Sequence, residues 1–109
     1  MGMIENLEAM LDSGKDNGLL RFTLGGEYFK AGDMTVAARH LQEAVKLDPG
    51  YSAAWKIYGK VLQSQGDPGA ARKAFEAGIE AAKQKGDVQA AKEMAVFLRR
   101  VQKELDASS

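Results

Sequence analysis

The chain has 109 residues, 45% of them hydrophobic, with 15 basic and 15 acidic side chains, one histidine and no cysteine. That length suits one domain with one core, and the charge balance excludes a chain that is polybasic throughout, as nucleic-acid or membrane binders are, or an acidic disordered tail. The lack of cysteine excludes disulfide scaffolds, thiolate metal sites and thiol nucleophiles.

Residues 1–15 are expected to form an N-terminal helix. The segment opens Met1-Gly2-Met3-Ile4-Glu5-Asn6, with no basic region ahead of an apolar stretch, so it does not read as a secretory signal. No apolar run in the chain approaches the roughly 20 residues that span a bilayer. The expectation is a soluble, cytoplasmic protein.

Residues 18–51 and 52–86 are two copies of one unit. A shift of 34 residues aligns Leu24-Gly25 with Tyr58-Gly59, Gly32-Asp33 with Gly66-Asp67, Leu41 with Phe75, Ala44 with Gly78 and Val45 with Ile79. Ahead of each Gly-Asp pair, large residues recur at helical spacing: Arg21, Leu24 and Tyr28, then Trp55, Tyr58 and Leu62. Behind it runs a narrower stripe, Ala37, Leu41, Ala44 and Val45 in one copy and Ala71, Phe75, Gly78 and Ile79 in the other. Each unit is therefore expected to be two amphipathic helices joined by a tight turn, in which Gly32 and Gly66 close the first helix and Asp33 and Asp67 cap the second. Leu47-Asp48-Pro49-Gly50 is a stop signal for the second helix of the first copy.

The same step extends to both ends. Met3, Leu7, Met10 and Leu11 lie 34 residues before Ala37, Leu41, Ala44 and Val45, so the N-terminal segment reads as the second helix of a repeat without its first. Downstream the phase slips by two residues, because the joint Lys83-Gln84-Lys85-Gly86-Asp87 is longer. Residues 87–106 then read as a C-terminal capping helix, with Ala91, Met94, Ala95 and Leu98 in phase with Trp55, Tyr58, Gly59 and Leu62, and residues 107–109 as a tail.

At these residues the chain resembles the tetratricopeptide repeat family, whose 34-residue pattern has Trp, Leu-Gly and Tyr in the first helix, Ala and Phe in the second and a closing Pro. The second copy supplies Trp55, Tyr58-Gly59, Leu62, Ala71 and Phe75; the first supplies Leu24-Gly25, Tyr28, Ala37, Leu41 and Pro49. Arg21 replaces the Trp in one copy and Lys83 the Pro in the other. The resemblance implies an all-α, right-handed α-solenoid of antiparallel helix pairs, two full units flanked by a single helix at each end.

Trp55, Tyr28, Tyr58 and Phe75 are read as packing residues, with Gly25 and Gly59 leaving room for the paired helix. On that reading, loss of the Trp55 ring costs about 3–5 kcal/mol and filling Gly59 with Leu about 1–3 kcal/mol. His40 lies off the Leu41/Ala44/Val45 stripe, on the side away from it. No catalytic set, metal site or cofactor loop is expected: the carboxylates are scattered singly, and neither a Ser/His/Asp set nor a phosphate-cradling glycine loop is present.

In the family the first helices of successive repeats line a concave groove that receives an extended peptide or a partner helix. The resemblance therefore implies a non-enzymatic protein-interaction module. The residues one or two steps off the packing stripe are Leu19, Phe22, Gly26 and Phe29, then Ala53, Lys56, Lys60 and Gln63, then Gln89, Lys92, Val96 and Arg99. The partner-binding candidates among them are Phe22, Gly26, Phe29, Lys56, Lys60, Gln63, Lys92 and Arg99. The carboxylate clamp of some family members is not supported, because Phe22, Gly26, Ile57 and Val96 occupy its polar positions.

Charge adds a direction. Residues 1–50 hold five bases and eight acids, a net −3, and residues 51–109 hold ten bases and seven acids, a net +3. The expected partner is a protein or peptide, acidic toward the C-terminal helices and apolar toward the N-terminal ones. The alternative is a self-associating, homo-oligomeric structural repeat. Neither nucleic acid nor membrane is an expected partner: the cluster Lys92, Arg99, Arg100 and Lys103 is small and has no exposed aromatic interleaved for base stacking.

Overall fold

The computed structural model describes residues 2–108; Met1, at the start of the expected N-terminal helix, and Ser109, at the end of the expected tail, lie outside the described residues. Six helices follow one another: α1 (Met3–Asp12), α2 (Gly18–Lys30), α3 (Met34–Leu47), α4 (Ser52–Ser64), α5 (Pro68–Gln84) and α6 (Val88–Ser108), and no strand is present among the described residues. They stack into an α-solenoid of antiparallel helix pairs, 44 × 31 × 19 Å.

The turns are built as their residues dictate. The carboxylates of Asp33, Asp67 and Asp87 and the amide oxygen of Asn17 each accept from the backbone N–H three residues on, at 2.8–3.2 Å, supplying a partner that the first turn of a helix lacks. Gly32 and Gly66 sit at φ +85° and +79°, the left-handed conformation that ends α2 and α4. The helices α2, α4 and α6 start at Gly18, Ser52 and Val88, 34 and then 36 residues apart. The extra two residues have a local cause. Asp48-Pro49 stops α3, but the corresponding positions in α5 are Ala82 and Lys83, so α5 winds on to Gln84 and buries Ala81 and Ala82.

Close helix approach depends on small residues. A Cβ on Gly25 would lie 2.5 Å from Leu41 Cγ, and one on Gly59 2.5 Å from Phe75 Cε1. Gly78 is pressed in the same way between Met94 of α6 and Trp55 of α4. The largest fully buried side chains are Phe75, Leu24, Leu41, Met94, Val61 and Val101. Trp55, by contrast, is only partly buried; its indole N–H donates to the Pro49 carbonyl at 2.8 Å, tying the α3–α4 joint to α4.

The expected tail is shorter than the sequence suggests, because α6 runs on through Ser108. Val101 is buried and Leu105 packs against the same cluster as Ala71 and Phe75, which gives the last two turns an apolar face to hold. His40 also departs from expectation. The expected position away from the Leu41 stripe is not what the helix gives it: three residues after Ala37 and four before Ala44, His40 shares their buried face, with 8% of its surface exposed, and Glu8 of α1 and Arg21 of α2 reach its ring.

Candidate functional site

The stack bends. Successive first helices touch, α2 against α4 and α4 against α6, whereas α3 and α5 do not meet. The faces of α2, α4 and α6 therefore form the inner side of the curve, and the sequence-derived groove residues can be placed on it one by one.

At the N-terminal end the surface is apolar. Phe22 lies tilted against Tyr51, ring centroids 4.8 Å apart, and Phe29 packs against the Ala37/Leu41/Val61 cluster; both are partly buried. Gly26 opens the wall between them, since a Cβ there would meet nothing within 4 Å. Leu19, one turn before Phe22, is 65% exposed.

Toward the C-terminal end the surface is charged, and its cations already have partners. Lys56 Nζ donates to Glu93 Oε2 on α6 at 3.1 Å. Hydrogen bonds from Lys56 and Gln89 hold the Glu93 carboxyl below the ordinary carboxylate range. Lys60 Nζ stands 4.5 Å from the centre of the Phe97 ring, with the Arg100 guanidinium 5.7 Å from the same ring. Gln63 Nε2 donates to Glu104 Oε1 at 2.6 Å. These contacts lie near the surface, where such pairs are weak.

Lys92 and Arg99 do not join this set. Lys92 lines a cleft on the other side of α6 with Ile79, Ala91 and Ala95, and Arg99, two turns on, shares its side of the helix. The basic patch read from sequence therefore divides into Lys56 and Lys60 on the inner face and Lys92 and Arg99 at the C-terminal end of the stack. The reason is geometric. The α4 residues Lys56, Lys60 and Gln63 meet α6 through Glu93, Phe97 and Glu104, each one step on from the register equivalents Lys92, Val96 and Arg99 or further along the helix. Repeat register carries Lys56 onto Lys92, which faces the position of a following helix, whereas the side chain opposite Lys56 is Glu93. The signal for Glu93, Phe97 and Arg100 was present in their i, i+4, i+7 spacing, but register transfer alone passes over it.

A second polar cluster occupies the outer side. Arg21 stands where the second copy has Trp55, and grips Asp16 through Nε at 2.8 Å and Nη2 at 3.0 Å. Its Nη1 donates to His40 Nδ1 at 3.2 Å. That leaves the proton of a neutral imidazole on Nε2, 3.4 Å from Glu8 Oε1. Glu8 also accepts from the Tyr28 hydroxyl at 2.9 Å, and the Tyr28 and His40 rings stack at 5.6 Å. Arg21 thus replaces an aromatic packing contact by a polar chain that joins α1, α2 and α3.

Burial pushes the His40 pKa below the ordinary 6.5, against the opposing influence of Glu8, while Arg21 and Arg39 act in the same direction as burial. The folded form therefore resists the proton that the unfolded chain accepts. Its stabilising contribution is complete above pH 6.5 and is lost as pH falls from there toward the folded value. The urea midpoint should accordingly fall between about pH 7.5 and about pH 5.5, and His40→Gln should flatten that slope. The depressed carboxyls of Asp16 and Glu93 act at lower pH, outside this window. A slope unchanged in the variant would remove His40 as its source.

The comparisons with known proteins agree with this architecture. A family model described as a tetratricopeptide repeat matches residues 28–95. A TPR repeat-containing protein of Pseudomonas aeruginosa is 56% identical over 99 residues, spanning 91% of this chain and 94% of that protein. A protein of Bordetella parapertussis, solved in solution, is 51% identical with a TM-score of 0.81, over 95% of this chain and 90% of that one. The crystal structure of YrrB, described as a TPR protein with an unusual peptide-binding site, is 25% identical with a TM-score of 0.68, over 91% of this chain and 58% of its own. With two in-phase copies of a 34-residue helix pair, close packing at Gly25 and Gly59, and a relative this similar over nearly all of its length, the chain belongs to the tetratricopeptide repeat family.

Proposed function

We propose that the protein is a non-enzymatic interaction module that receives a segment of a partner protein along the inner faces of α2, α4 and α6. Repeats of this family mediate protein–protein interaction, and YrrB, of the same fold, is described as having a peptide-binding site. The observation that carries the reading is the composition of the inner face: an aromatic wall at Phe22 and Phe29, an open step at Gly26, and then Lys56 and Lys60, each held only by a surface partner within the chain.

An acidic partner segment can offer a carboxylate to Lys56, in competition with Glu93, and to Lys60, which stands over the Phe97 ring, because the contacts it displaces are weak. Gln63 offers a further amide once Glu104 is displaced. An apolar side chain of the segment covers Phe22 and Phe29. Lys92 and Arg99 lie around the edge of α6 and add long-range attraction for an acidic chain. The groove spans three helices, so affinity in the micromolar range is expected, about −8 kcal/mol at 1 µM.

Selection from a displayed random-peptide library tests this. Recovered sequences should pair an aliphatic or aromatic residue with a run of Asp or Glu, and Lys56→Glu with Lys60→Glu should reverse the preference toward Lys and Arg while leaving the helical circular dichroism intact. Recovery of the same acidic sequences by the double variant would eliminate the basic half of the groove.

A further inference from the structure

The two lysines that α4 turns toward α6 are held by different chemistry. Lys56 Nζ donates to Glu93 Oε2 at 3.1 Å, and the two side chains share a cleft of about 250 Å³ with Ala53, Asp87 and Met94. Asp87 caps α6, its Oδ1 accepting from the Ala90 N–H at 3.0 Å, so its carboxylate is fixed beside that pair. One ammonium in the cleft therefore stands among two carboxylates. Lys60, one turn on, stands instead 4.5 Å from the centre of the uncharged Phe97 ring, with the Arg100 guanidinium 5.7 Å from the same ring.

The difference matters to an acidic ligand. An aromatic ring attracts a cation through its quadrupole and carries no net charge, so it leaves the charge of the cation in place. A carboxylate at hydrogen-bond distance offsets that charge. A ligand carboxylate approaching Lys60 meets a positive surface shared with Arg100, whereas one approaching Lys56 also meets Glu93 and Asp87 as like charges. Glu93 belongs with Lys56: hydrogen bonds from Lys56 and Gln89 are the main causes of its lowered pKa, and Lys60 contributes only through space and least of all. Both members of the pair are partly exposed, within reach of a ligand.

From this asymmetry we propose that Glu93 is a specificity-determining residue of the groove: by neutralising Lys56 it directs the acidic residue of a bound segment to Lys60 and Arg100. The inference rests on the reading of the inner face as a peptide site and names which of its cations reads the acid. Because the Lys56–Glu93 pair has no net charge, removing it whole should leave the preference for acid as it is. Removing Glu93 alone should create a second acid subsite at Lys56.

Fluorescence anisotropy of the full chain is the test, with two fluorescein-labelled peptides, one carrying a leucine followed by three glutamates and the other glutamines in their place. The wild type should prefer the glutamate peptide by about threefold or more, and Lys60→Met should remove most of that preference. Glu93→Gln should raise the ratio by a further factor of about three to five, the scale of one exposed ion pair. Lys56→Met combined with Glu93→Gln should return it to the wild-type value. Glu76→Gln, an equal change of charge at an exposed position of α5, should leave it there. Circular dichroism of each variant checks that the helices are intact. If Glu93 only clipped α4 to α6, Glu93→Gln would weaken both peptides alike and leave the ratio unchanged.

That unchanged ratio, a wild type without preference, a double variant that keeps the raised ratio, or a preference that survives Lys60→Met would each overturn the inference while leaving the groove as a peptide site. Failure of both the wild type and Glu93→Gln to bind either peptide would overturn the groove reading as well.

Discussion

Phe75→Ala is expected to lower stability by about 3–5 kcal/mol, the usual cost of emptying a fully buried aromatic site. The ring has no exposed surface, lies against Gly59 of its own pair, and stacks on Phe97 of α6 at a centroid distance of 5.7 Å. It therefore joins α4, α5 and α6, and its loss loosens the inner face as well as the core. Urea unfolding followed by circular dichroism measures the change. Trp55→Ala should cost less than Phe75→Ala. The family pattern makes Trp55 the conspicuous aromatic, but its ring is partly exposed and part of its role is the hydrogen bond to Pro49. Equal losses for the two variants would place the centre of the core elsewhere.

Gly59→Leu is expected to cost about 1–3 kcal/mol by overpacking, and its origin can be isolated with the smaller Gly59→Ala. A Cβ at Gly59 would come within 2.5–2.8 Å of three Phe75 ring carbons, too close without a shift of helix α5. The same methyl raises helix propensity by about 1 kcal/mol. In the wild-type background the clash outweighs the propensity gain, so Gly59→Ala destabilises. In a Phe75→Ala background the ring is gone, the gain remains, and the same substitution should become neutral or stabilising by up to about 1 kcal/mol. A double-mutant cycle reads this reversal of sign directly. Additive effects would show that Gly59 is not held small by Phe75.

The helix pairs were legible because three independent signals coincide at each turn: a glycine in the left-handed region, a capping Asp at the next position, and a change from broad to narrow apolar spacing around Gly32-Asp33 and Gly66-Asp67. The two-residue slip was legible because Pro49 has no counterpart at Lys83, and a helix without its stop continues while its apolar face does. Side-chain partners across helices were not legible in the same way. Repeat register says which residues are equivalent, not which neighbour each one meets, so Lys92 was grouped with Lys56 although Glu93 is the residue that faces it. His40 shows the same limit. Its spacing from Ala37 and Ala44 already places it on the buried face of α3, but the partners that satisfy the ring there, Glu8 from α1 and Arg21 from α2, cannot be read from that spacing. The end of α6 escaped notice because Leu105 is a single apolar residue in a polar stretch, and its value depends on the Ala71/Phe75 cluster lying beneath it.

The central claim is that the inner curve of α2, α4 and α6 is the surface that receives a partner. Titration of the isotope-labelled chain with an acidic peptide from the library selection, followed by backbone amide and side-chain methyl chemical shifts, tests it most directly. The shifts should concentrate at Phe22, Phe29, Ile57, Lys60 and Phe97, with α3 and the outer face of α5 unmoved. Shifts confined to α3 and α5, or to the Arg21/His40 cluster on the outer side, would contradict it.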